Sequence, residues 1–297
     1  MICTPPTEPA SDDVPTVVVE VVRLTHCFRF AAKPVLHDVG FVAGSGESIA
    51  VIGRNGAGKS TLLDLLVGKQ RPRGGSITVF GLPPVLASPK LGHKLVYYSG
   101  DQEIYRFITP RQLGRFLGEF YSHWESWSYE RMLGDLAVPV DSKLGQLSSG
   151  ERAKTLLAAA IAARPGLMIM DEPFEGIDSR SRTLLYRLFK EQAKRGATLL
   201  FSAHRHEDVE QTATRVLALH DGMIAVDSSL ADLSTRYRLR RGNDGGTLVY
   251  KITSMEPEMT EELRLSSLEE CPVEEAALSV QQLIAAIGGG RRKESDE

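Results

Sequence analysis

Short apolar runs and longer periodic segments alternate along the chain, and each predicts one kind of element. Apolar runs bounded by glycine turns predict strands, and these lie at 17–22, 35–42, 49–52, 74–81, 95–98, 166–170 and 197–202. Apolar residues at helical spacing predict helices after 59, between about 103 and 146, at 180–194 and after 205. The segment 216–226 predicts a hairpin with Asp221-Gly222 at its turn. Buried strands that alternate with helices are typical of an α/β protein with a parallel sheet.

The two ends of the chain differ from its middle. The first 16 residues are rich in proline and acidic side chains and are predicted to be disordered. Beyond about residue 235, an arginine cluster at 236–241 precedes a predicted strand at 247–252, and Pro272 is predicted to open a last helix. The arginines could contact anionic lipid or a partner, or form a solvated face. The predicted segments are therefore 1–16, 17–234 and 235–297.

Composition narrows the class of protein. The 297 residues are 42% hydrophobic and 25% charged, as in an ordinary globular protein. The net charge of −3 gives no basic field that would recruit nucleic acid, so no nucleic-acid partner is expected. Three widely spaced cysteines form no metal motif and fit a reducing cytosol. The N-terminal residues lack the layout of a signal peptide, and any membrane-spanning helices are expected to come from another chain.

One segment matches the phosphate-binding loop G-x-x-x-x-G-K-[ST] between a predicted strand and a predicted helix. Its residues are Gly53, Arg54, Asn55, Gly56, Ala57, Gly58, Lys59, Ser60 and Thr61. Glycines let successive N–H groups point at an anion, and the helix N-terminus adds partial positive charge. Lys59 is then expected to reach the β- and γ-phosphates, and Ser60 to offer its hydroxyl to Mg²⁺. The alternative is a glycine-rich turn without a ligand.

An acidic pair follows the predicted strand at 166–170. The strand brings Asp171 to the edge of the sheet, where it is expected to hold Mg²⁺ directly or through water. Glu172 comes next and is expected to orient or deprotonate a water that attacks the γ-phosphate. The alternative is an acidic pair that only interacts with a helix dipole.

The segment Leu147-Ser148-Ser149-Gly150-Glu151 opens an apolar helix about 20 residues before Asp171. With this segment in place, the chain resembles the ATP-binding cassette (ABC) family, whose signature is usually LSGGQ. The resemblance implies that this signature binds the triphosphate of a second cassette. Ser148-x-x-Glu151 is also a capping box, and both interpretations can hold because a helix N-terminus is an anion site. The chain departs from the usual signature at Ser149 and Glu151, and a carboxylate at 151 suits the site if it points toward its own helix.

Two motifs after the acidic pair also match the family. His204 follows the predicted strand at 197–202 and matches the switch histidine, which senses the γ-phosphate and helps to position Glu172. Taken by itself, a histidine after a strand is more often structural than catalytic. The segment Gly176-Ile177-Asp178 resembles the loop that contacts the partner cassette, and Asp178 could also be only a helix N-cap.

Two further positions are matched through the family alone. Gln102 is the candidate for the glutamine that touches Mg²⁺, although Asp101 could share or take that role. Phe28 is the candidate for the aromatic residue that stacks on adenine, with Phe30 close behind it. Core packing is the alternative role for either phenylalanine.

The resemblance covers about residues 17–230 and implies an ABC-type P-loop NTPase of the α/β class. Such a fold has a mixed, largely parallel sheet core, an antiparallel β subdomain and a helical subdomain, here inserted at about 103–160. The resemblance also implies that two cassettes, two copies of this chain or this chain with a paralogous cassette, pair head to tail around two ATP molecules with Mg²⁺. Hydrolysis of ATP then opens the pair.

The family role expected here is the ATPase subunit of a transporter. The single cassette and the segment Phe120-Tyr121-Ser122-His123-Trp124 resemble the ATPase subunits of bacterial ABC exporters. This implies a separate polytopic permease and a cytoplasmic location at the inner face of the membrane. Trp124 and Trp127 could face that permease or pack in the core.

Two alternatives remain open. One is a soluble cassette ATPase that acts on a macromolecular or metal-cluster assembly rather than in transport. The other is a nucleotide-binding regulator without turnover, against which the intact set Lys59, Asp171, Glu172 and His204 argues.

Overall fold

The structure is a computed structural model that describes residues 17–29, 33–85, 88, 90–100, 106–241, 247–251, 263–265, 276–277 and 279–288. Three positions singled out from the sequence, Phe30, Asp101 and Gln102, lie outside the described residues, as does the N-terminal segment 1–16.

The order of elements follows the alternation that the sequence predicts. The strands are β1 (Val17–His26), β2 (Leu36–Gly44), β3 (Ser48–Gly53), β4 (Gly74–Val79), β5 (Leu95–Ser99), β6 (Leu167–Asp171), β7 (Thr198–Ser202), β8 (Arg215–His220), β9 (Met223–Ser229), β10 (Tyr237–Arg241), β11 (Thr247–Lys251), β12 (Leu263–Leu265) and β13 (Ala276–Ala277). The helices are α1 (Lys59–Leu66), α2 (Pro110–Gly118), α3 (Ser126–Asp135), α4 (Ser149–Ala162), α5 (Ser179–Lys194), α6 (His206–Thr212), α7 (Leu230–Arg236) and α8 (Val280–Gly288).

The central sheet has the strand order β5-β6-β7-β3-β8-β9. Its strands are parallel except for β9, which forms an antiparallel hairpin with β8. Asp221 and Gly222 at the hairpin turn both have positive φ, at 46° and 81°, as a tight two-residue turn requires. The carboxyl ends of β6, β7 and β3 therefore lie side by side at one edge of the sheet, where ligands bind in open α/β sheets.

Helices cover both faces of this sheet, which explains the unbroken apolar runs of its strands. Along β3, Ala50 and Ile52 pack into one buried cluster while Ile49 and Val51 pack into the other. Helix α1 contributes its leucines to the second cluster, and α4 and α5 contribute to the first. A strand buried on both faces needs apolar residues at every position rather than at alternate ones.

Two further sheets are antiparallel. One has three strands in the order β2-β1-β4, and the other has four strands in the order β12-β11-β10-β13 and follows α7 in the chain. Helices α2, α3 and α4 lie between β5 and β6, in the segment where the sequence predicts a helical insert. Thr109 caps α2 with a capping box and Pro110 follows it, as predicted from the sequence.

The last helix begins later than the sequence suggests. The predicted helix start at Pro272 is wrong, because Ala276–Ala277 is a strand and α8 starts at Val280. Ser279 caps the helix: its hydroxyl accepts the Gln282 N–H at 3.1 Å, and its own N–H donates to the Gln282 side chain at 2.9 Å. This Ser-x-x-Gln capping box is a local start signal, whereas apolar spacing continues across the boundary. The apolar face of α8 is buried against the main core.

A buried ion pair joins α5, α6 and the loop after β6. The Arg182 guanidinium donates to the backbone oxygens of Phe174 and Ile177 at 3.0 and 3.1 Å, and it lies 3.6 Å from the Asp208 carboxylate. Tyr186 donates its hydroxyl to Asp208 at 2.5 Å. Both charged side chains are almost enclosed, so neither can exchange its partner for water without opening the packing.

We expect Asp208→Ala to lower the free energy of unfolding by about 3–5 kcal/mol, because it leaves the Arg182 guanidinium buried without its charge partner. Urea unfolding followed by circular dichroism measures this loss. The neighbouring Glu207→Ala is the matched control, since Glu207 pairs with Arg205 at the surface and its loss is expected to change stability much less than Asp208→Ala does. Equal losses for the two variants would contradict the prediction.

Candidate nucleotide-binding site

The predicted phosphate loop lies between β3 and α1, as its sequence context requires. Gly56 and Gly58 have φ values of 83° and 101°, in the left-handed region that favours glycine. A Cβ at Gly58 would lie 2.6 Å from the Leu36 Cδ2 atom and 3.1 Å from the Val35 oxygen, so no other residue fits there. The N-cap of helix α1 is Gly58, which has no side chain to cap the helix, so the N-terminal N–H groups are available for an anion.

The Lys59 side chain folds back across this loop. Its Nζ donates to the backbone oxygens of Gly53 at 2.9 Å and Arg54 at 3.1 Å. Burial lowers the pKa of Lys59, while the negative charges of Glu172 and Asp171 act in the opposite direction. These interactions with both carboxylates place the phosphate loop and the acidic pair in one site.

The acidic pair lies at the carboxyl end of β6, beside the end of β7. Asp171 Oδ1 accepts a hydrogen bond from the Ser202 hydroxyl at 2.5 Å. The same hydroxyl accepts the N–H of Glu172 at 2.8 Å. Ser202 is not among the predicted site residues, although it is a serine at a strand end two residues before His204.

Glu172 and His204 face each other across the site. His204 Nδ1 lies 3.6 Å from Glu172 Oε2, so the structure brings the predicted base and the predicted switch histidine together. Burial raises the pKa of Glu172, and a hydrogen bond with the Glu175 side chain raises it further, whereas His204 and Lys59 lower it. A raised pKa brings this carboxylate closer to the range in which a general base works at neutral pH.

The oxygen donors at this edge fit Mg²⁺. Asp171 is partly exposed and bonds to Ser202 through Oδ1, while Ser60 is exposed at the first turn of α1. In the described part of the chain, no three His, Cys, Asp or Glu side chains cluster as ligands. Mg²⁺ in phosphate sites is usually held by one or two protein oxygens together with the phosphates, so this sparse set suits it.

The predicted signature forms the exposed N-terminus of α4. Ser148 is the cap: its hydroxyl accepts the Glu151 N–H at 3.2 Å. The Glu151 carboxylate turns back to accept the Ser148 N–H and hydroxyl, both at 2.8 Å. The hydrogen bond from the Ser148 backbone lowers the pKa of Glu151. The capping box therefore exists, and the carboxylate points toward its own helix.

The start of α4 packs directly on the loop that contains Asp178. A Cβ at Gly150 would lie 2.7 Å from the Gly176 oxygen, so only glycine allows this approach. Lys154 Nζ lies 3.4 Å from Asp178 Oδ2. Asp178 caps α5 by accepting the Ser181 N–H at 2.9 Å, and the hydrogen bonds from Ser181 lower its pKa to about 2. The N-cap interpretation of Asp178 is confirmed, and the residue also lies at an exposed surface.

Phe28 does not pack in the core. Its side chain is 45% exposed, and its ring meets the edge of His26 with centroids 5.4 Å apart. It lines an open cavity of about 510 Å³ with Arg71 and Arg73. This open position is compatible with stacking on a base, and the core alternative is wrong for Phe28.

The two tryptophans of the helical segment differ. Trp124 is half-buried and packs against Tyr129 with ring centroids 5.1 Å apart. Trp127 is 72% exposed at the start of α3. Only Trp127 is therefore available to a partner.

The strand, loop and helix around Lys59, with an acidic pair at the end of β6 two strands away, define a P-loop nucleoside triphosphatase. The family model described as ABC transporter matches residues 36–175. A solved structure described as an ATP-binding subunit of an ABC transporter is 30% identical, with a TM-score of 0.65 over 73% of this chain and 92% of that one. The chain belongs to the ATP-binding cassette family and is an ABC-type ATPase.

Curated relatives show the same family over most of the chain. The ABC transporter ATP-binding protein YtrB of Bacillus subtilis (strain 168) is 30% identical over 204 residues, which is 68% of this chain and 70% of YtrB. The Nod factor export ATP-binding protein I of Neorhizobium galegae is 30% identical over 229 residues, covering 73% of this chain but only 64% of that protein. Within the described residues, no helix combines the length and apolar character needed to cross a bilayer.

We expect Glu175→Ala to move the acid limb of the ATPase pH profile to lower pH. A base works only when ionised, so activity falls as the pH drops through the raised pKa of Glu172. The Glu175 carboxylate accepts a hydrogen bond from the protonated form of Glu172 and repels its charged form, so removing Glu175 lowers that pKa. Steady-state hydrolysis measured across the pH range tests this shift. Glu210→Ala, at an exposed position on α6, is the control and should leave the acid limb at its wild-type pH. An acid limb that stays at the wild-type pH or moves to higher pH in Glu175→Ala would overturn the expectation.

Proposed function

We propose that this chain is the ATP-hydrolysing subunit of an ABC transporter and pairs head to tail around two ATP molecules. The second cassette is another copy of this chain or a paralogue. The pair drives a separate polytopic permease, and we propose export as the direction. The chain then lies in the cytoplasm, held at the inner face of the membrane by that permease.

The observation that carries the proposal is the exposed N-terminus of α4. Helix α4 has 14 residues and begins with Ser148 as its cap, and its first N–H groups have no acceptor within the helix. Among the described residues, Ser148 bonds with Glu151 rather than with the phosphate loop. An exposed anion site whose cap residue bonds within its own helix suits a triphosphate presented by a second copy. A two-fold pair completes both sites with one kind of surface.

Each residue then has one proposed role in phosphoryl transfer. Lys59 leaves the loop oxygens that it contacts here and donates to the β- and γ-phosphates. Glu172 orients the attacking water and accepts its proton, and His204 holds that carboxylate in place. Ser60 and Asp171 would hold Mg²⁺, with Gln102 as the further predicted ligand, and bound Mg²⁺ neutralises charge on the phosphates. Phe28 stacks on adenine.

We propose that ATP hydrolysis is coupled to transport through the opening of the pair. ATP brings four negative charges to two donor-rich surfaces, the phosphate loop of one chain and the helix start of the other. Hydrolysis and loss of phosphate weaken this bridge, so the two copies separate. Asp178 lies at the exposed loop packed against α4, where the partner would contact it.

A mixing experiment tests the head-to-tail arrangement. Lys59→Ala destroys the phosphate loop and Ser148→Arg blocks the signature, so each variant alone should be inactive. In a mixed pair, the intact loop of one chain meets the intact signature of the other. With random pairing, half of the dimers are mixed and each has one working site, so we expect about one quarter of wild-type ATPase activity.

The matched control mixes Lys59→Ala with Glu172→Gln. Both defects belong to the same half of a site, so no mixed dimer contains an intact one and the mixture should stay inactive. Hydrolysis measured on equimolar mixtures distinguishes the two cases. A Lys59→Ala and Ser148→Arg mixture as inactive as the control would contradict the head-to-tail pair.

The exposed aromatic residues of the helical segment support the permease contact. Phe116 and Phe120 on and after α2 lie with ring centroids 4.8 Å apart, and Phe120 is 64% exposed. Phe107 and Trp127 are also largely exposed. Large apolar side chains on a surface are typical of protein contacts. The export role of the relative from Neorhizobium galegae supports the proposed direction.

A photo-crosslinking amino acid at Phe120 tests the partner. We expect illumination of intact cells to link this position to a polytopic membrane protein, identified by mass spectrometry. The same label at Val85, an apolar position of similar exposure outside the helical segment, is the control and should not form that product. Crosslinks to soluble proteins alone would favour the alternative of a cassette ATPase without a transport role.

A further inference from the structure

We propose that Ser202 is a positioning residue that fixes both members of the acidic pair, so that metal binding and hydrolysis depend on its hydroxyl. The inference rests on the roles proposed for Asp171 and Glu172. It adds a residue that does not itself touch the nucleotide or the water. Its basis is one buried side chain that bonds to two neighbouring residues with different tasks.

The sheet places Ser202 between the two nucleotide motifs. It is the last residue of β7, and it pairs with Val51 on β3, two residues before the phosphate loop begins at Gly53. On the other side, Phe201 pairs with Met170, directly before Asp171. Ser202 is completely buried. A side chain at this position therefore lies behind the site rather than in it.

The hydroxyl of Ser202 both donates and accepts a hydrogen bond. It donates its single proton to Asp171 Oδ1 at 2.5 Å, and one of its lone pairs accepts the Glu172 N–H at 2.8 Å. A hydroxyl has one donor and two acceptor positions, so both bonds form at once. The first is short because its acceptor is charged. It fixes the rotation of the Asp171 carboxylate and leaves the other oxygen for a ligand.

The bond to Glu172 acts on an unusual backbone. Glu172 has a φ of 48°, in the left-handed region that is unfavourable for a residue with a side chain. Such a conformation persists only where neighbouring groups hold it. The bond to Ser202 holds the N–H of this residue, and the backbone conformation determines the direction in which the Glu172 side chain leaves the chain toward His204.

If Ser202 only stabilised the fold, loss of its hydroxyl would not change the response to Mg²⁺. Thr198 on the same strand provides the comparison. Thr198, at the other end of β7, is also completely buried and donates its hydroxyl to the Gly44 oxygen at 2.8 Å. Thr198 therefore stabilises the strand with one hydrogen bond far from the acidic pair. Loss of either hydroxyl lowers stability, but only loss of the Ser202 hydroxyl should change the response to Mg²⁺.

The experiment compares Ser202→Ala, Ser202→Thr and Thr198→Ala with the wild-type chain. Binding of a fluorescent ATP analogue is measured with and without Mg²⁺, together with kcat and KM for ATP hydrolysis. We expect Ser202→Ala to need about 10-fold or more Mg²⁺ for half-maximal tightening of nucleotide binding, and to lose about 10-fold or more in kcat, since removal of such supporting partners typically costs 10–100-fold. Binding without Mg²⁺ should change less than about twofold, because Ser202 does not contact the phosphate loop side chains.

Ser202→Thr keeps the hydroxyl and should retain the wild-type Mg²⁺ response. Thr198→Ala should lower the melting temperature and leave the Mg²⁺ response unchanged. If Ser202→Ala does not fold, Ser202→Cys replaces it, because a thiol is a weak donor and acceptor of similar shape. Mg²⁺ response and kcat within twofold of wild type in the folded Ala or Cys variant would overturn the inference. So would an equal loss in Thr198→Ala.

The binding measurement separates this inference from the proposed function. A wild-type chain that binds nucleotide in a Mg²⁺-dependent way but never pairs would refute the head-to-tail proposal and leave the role of Ser202 intact. A chain that pairs and hydrolyses ATP with no effect of Ser202→Ala would refute the role of Ser202 alone.

Discussion

The balance of charge at one edge of the central sheet is the constraint on which the site depends. The parallel strands β3, β6 and β7 end side by side, and their ends supply one cation, Lys59, and two carboxylates, Asp171 and Glu172. The Lys59 ammonium group donates to loop oxygens, and the charges of both carboxylates act on it. In the proposed function, a triphosphate with Mg²⁺ would replace these partners with phosphate and metal charges, so that no charge is left unpaired.

In the proposed head-to-tail pair, the same edge is only half of a nucleotide site. The start of α4 offers a second anion site, and in this structure the Glu151 carboxylate holds Ser148 at that position. A carboxylate near the proposed γ-phosphate position is tolerable because its two hydrogen bonds direct it along its own helix. The contacts of α4 with Gly176 and Asp178, and of Arg182 with the same loop, form a continuous packed path from the signature to the acidic pair.

That path gives the proposed cycle a physical basis. The loop after β6 begins at the base Glu172 and ends at the cap Asp178, and it is bounded by α4, α5 and α6. In the proposed cycle, a change at Glu172 on hydrolysis would reach the surface where the second copy is proposed to bind through this loop, in which Phe174 and Ile177 are buried. Ser202 fixes the first residue of this loop, and the ion pair of Arg182 and Asp208 supports its far end.

The sequence by itself determined the features that rest on neighbouring residues. Unbroken apolar runs predicted the strands, and the glycine spacing predicted the phosphate loop, because backbone conformation and burial on both faces are encoded locally. The start of α8 also has a local signal, the Ser-x-x-Gln capping box at Ser279. Tertiary structure alone decided the role of Ser202 and the exposure of Phe28. Each of these depends on which distant segment packs beside the residue. Periodicity in one segment carries no information about that partner.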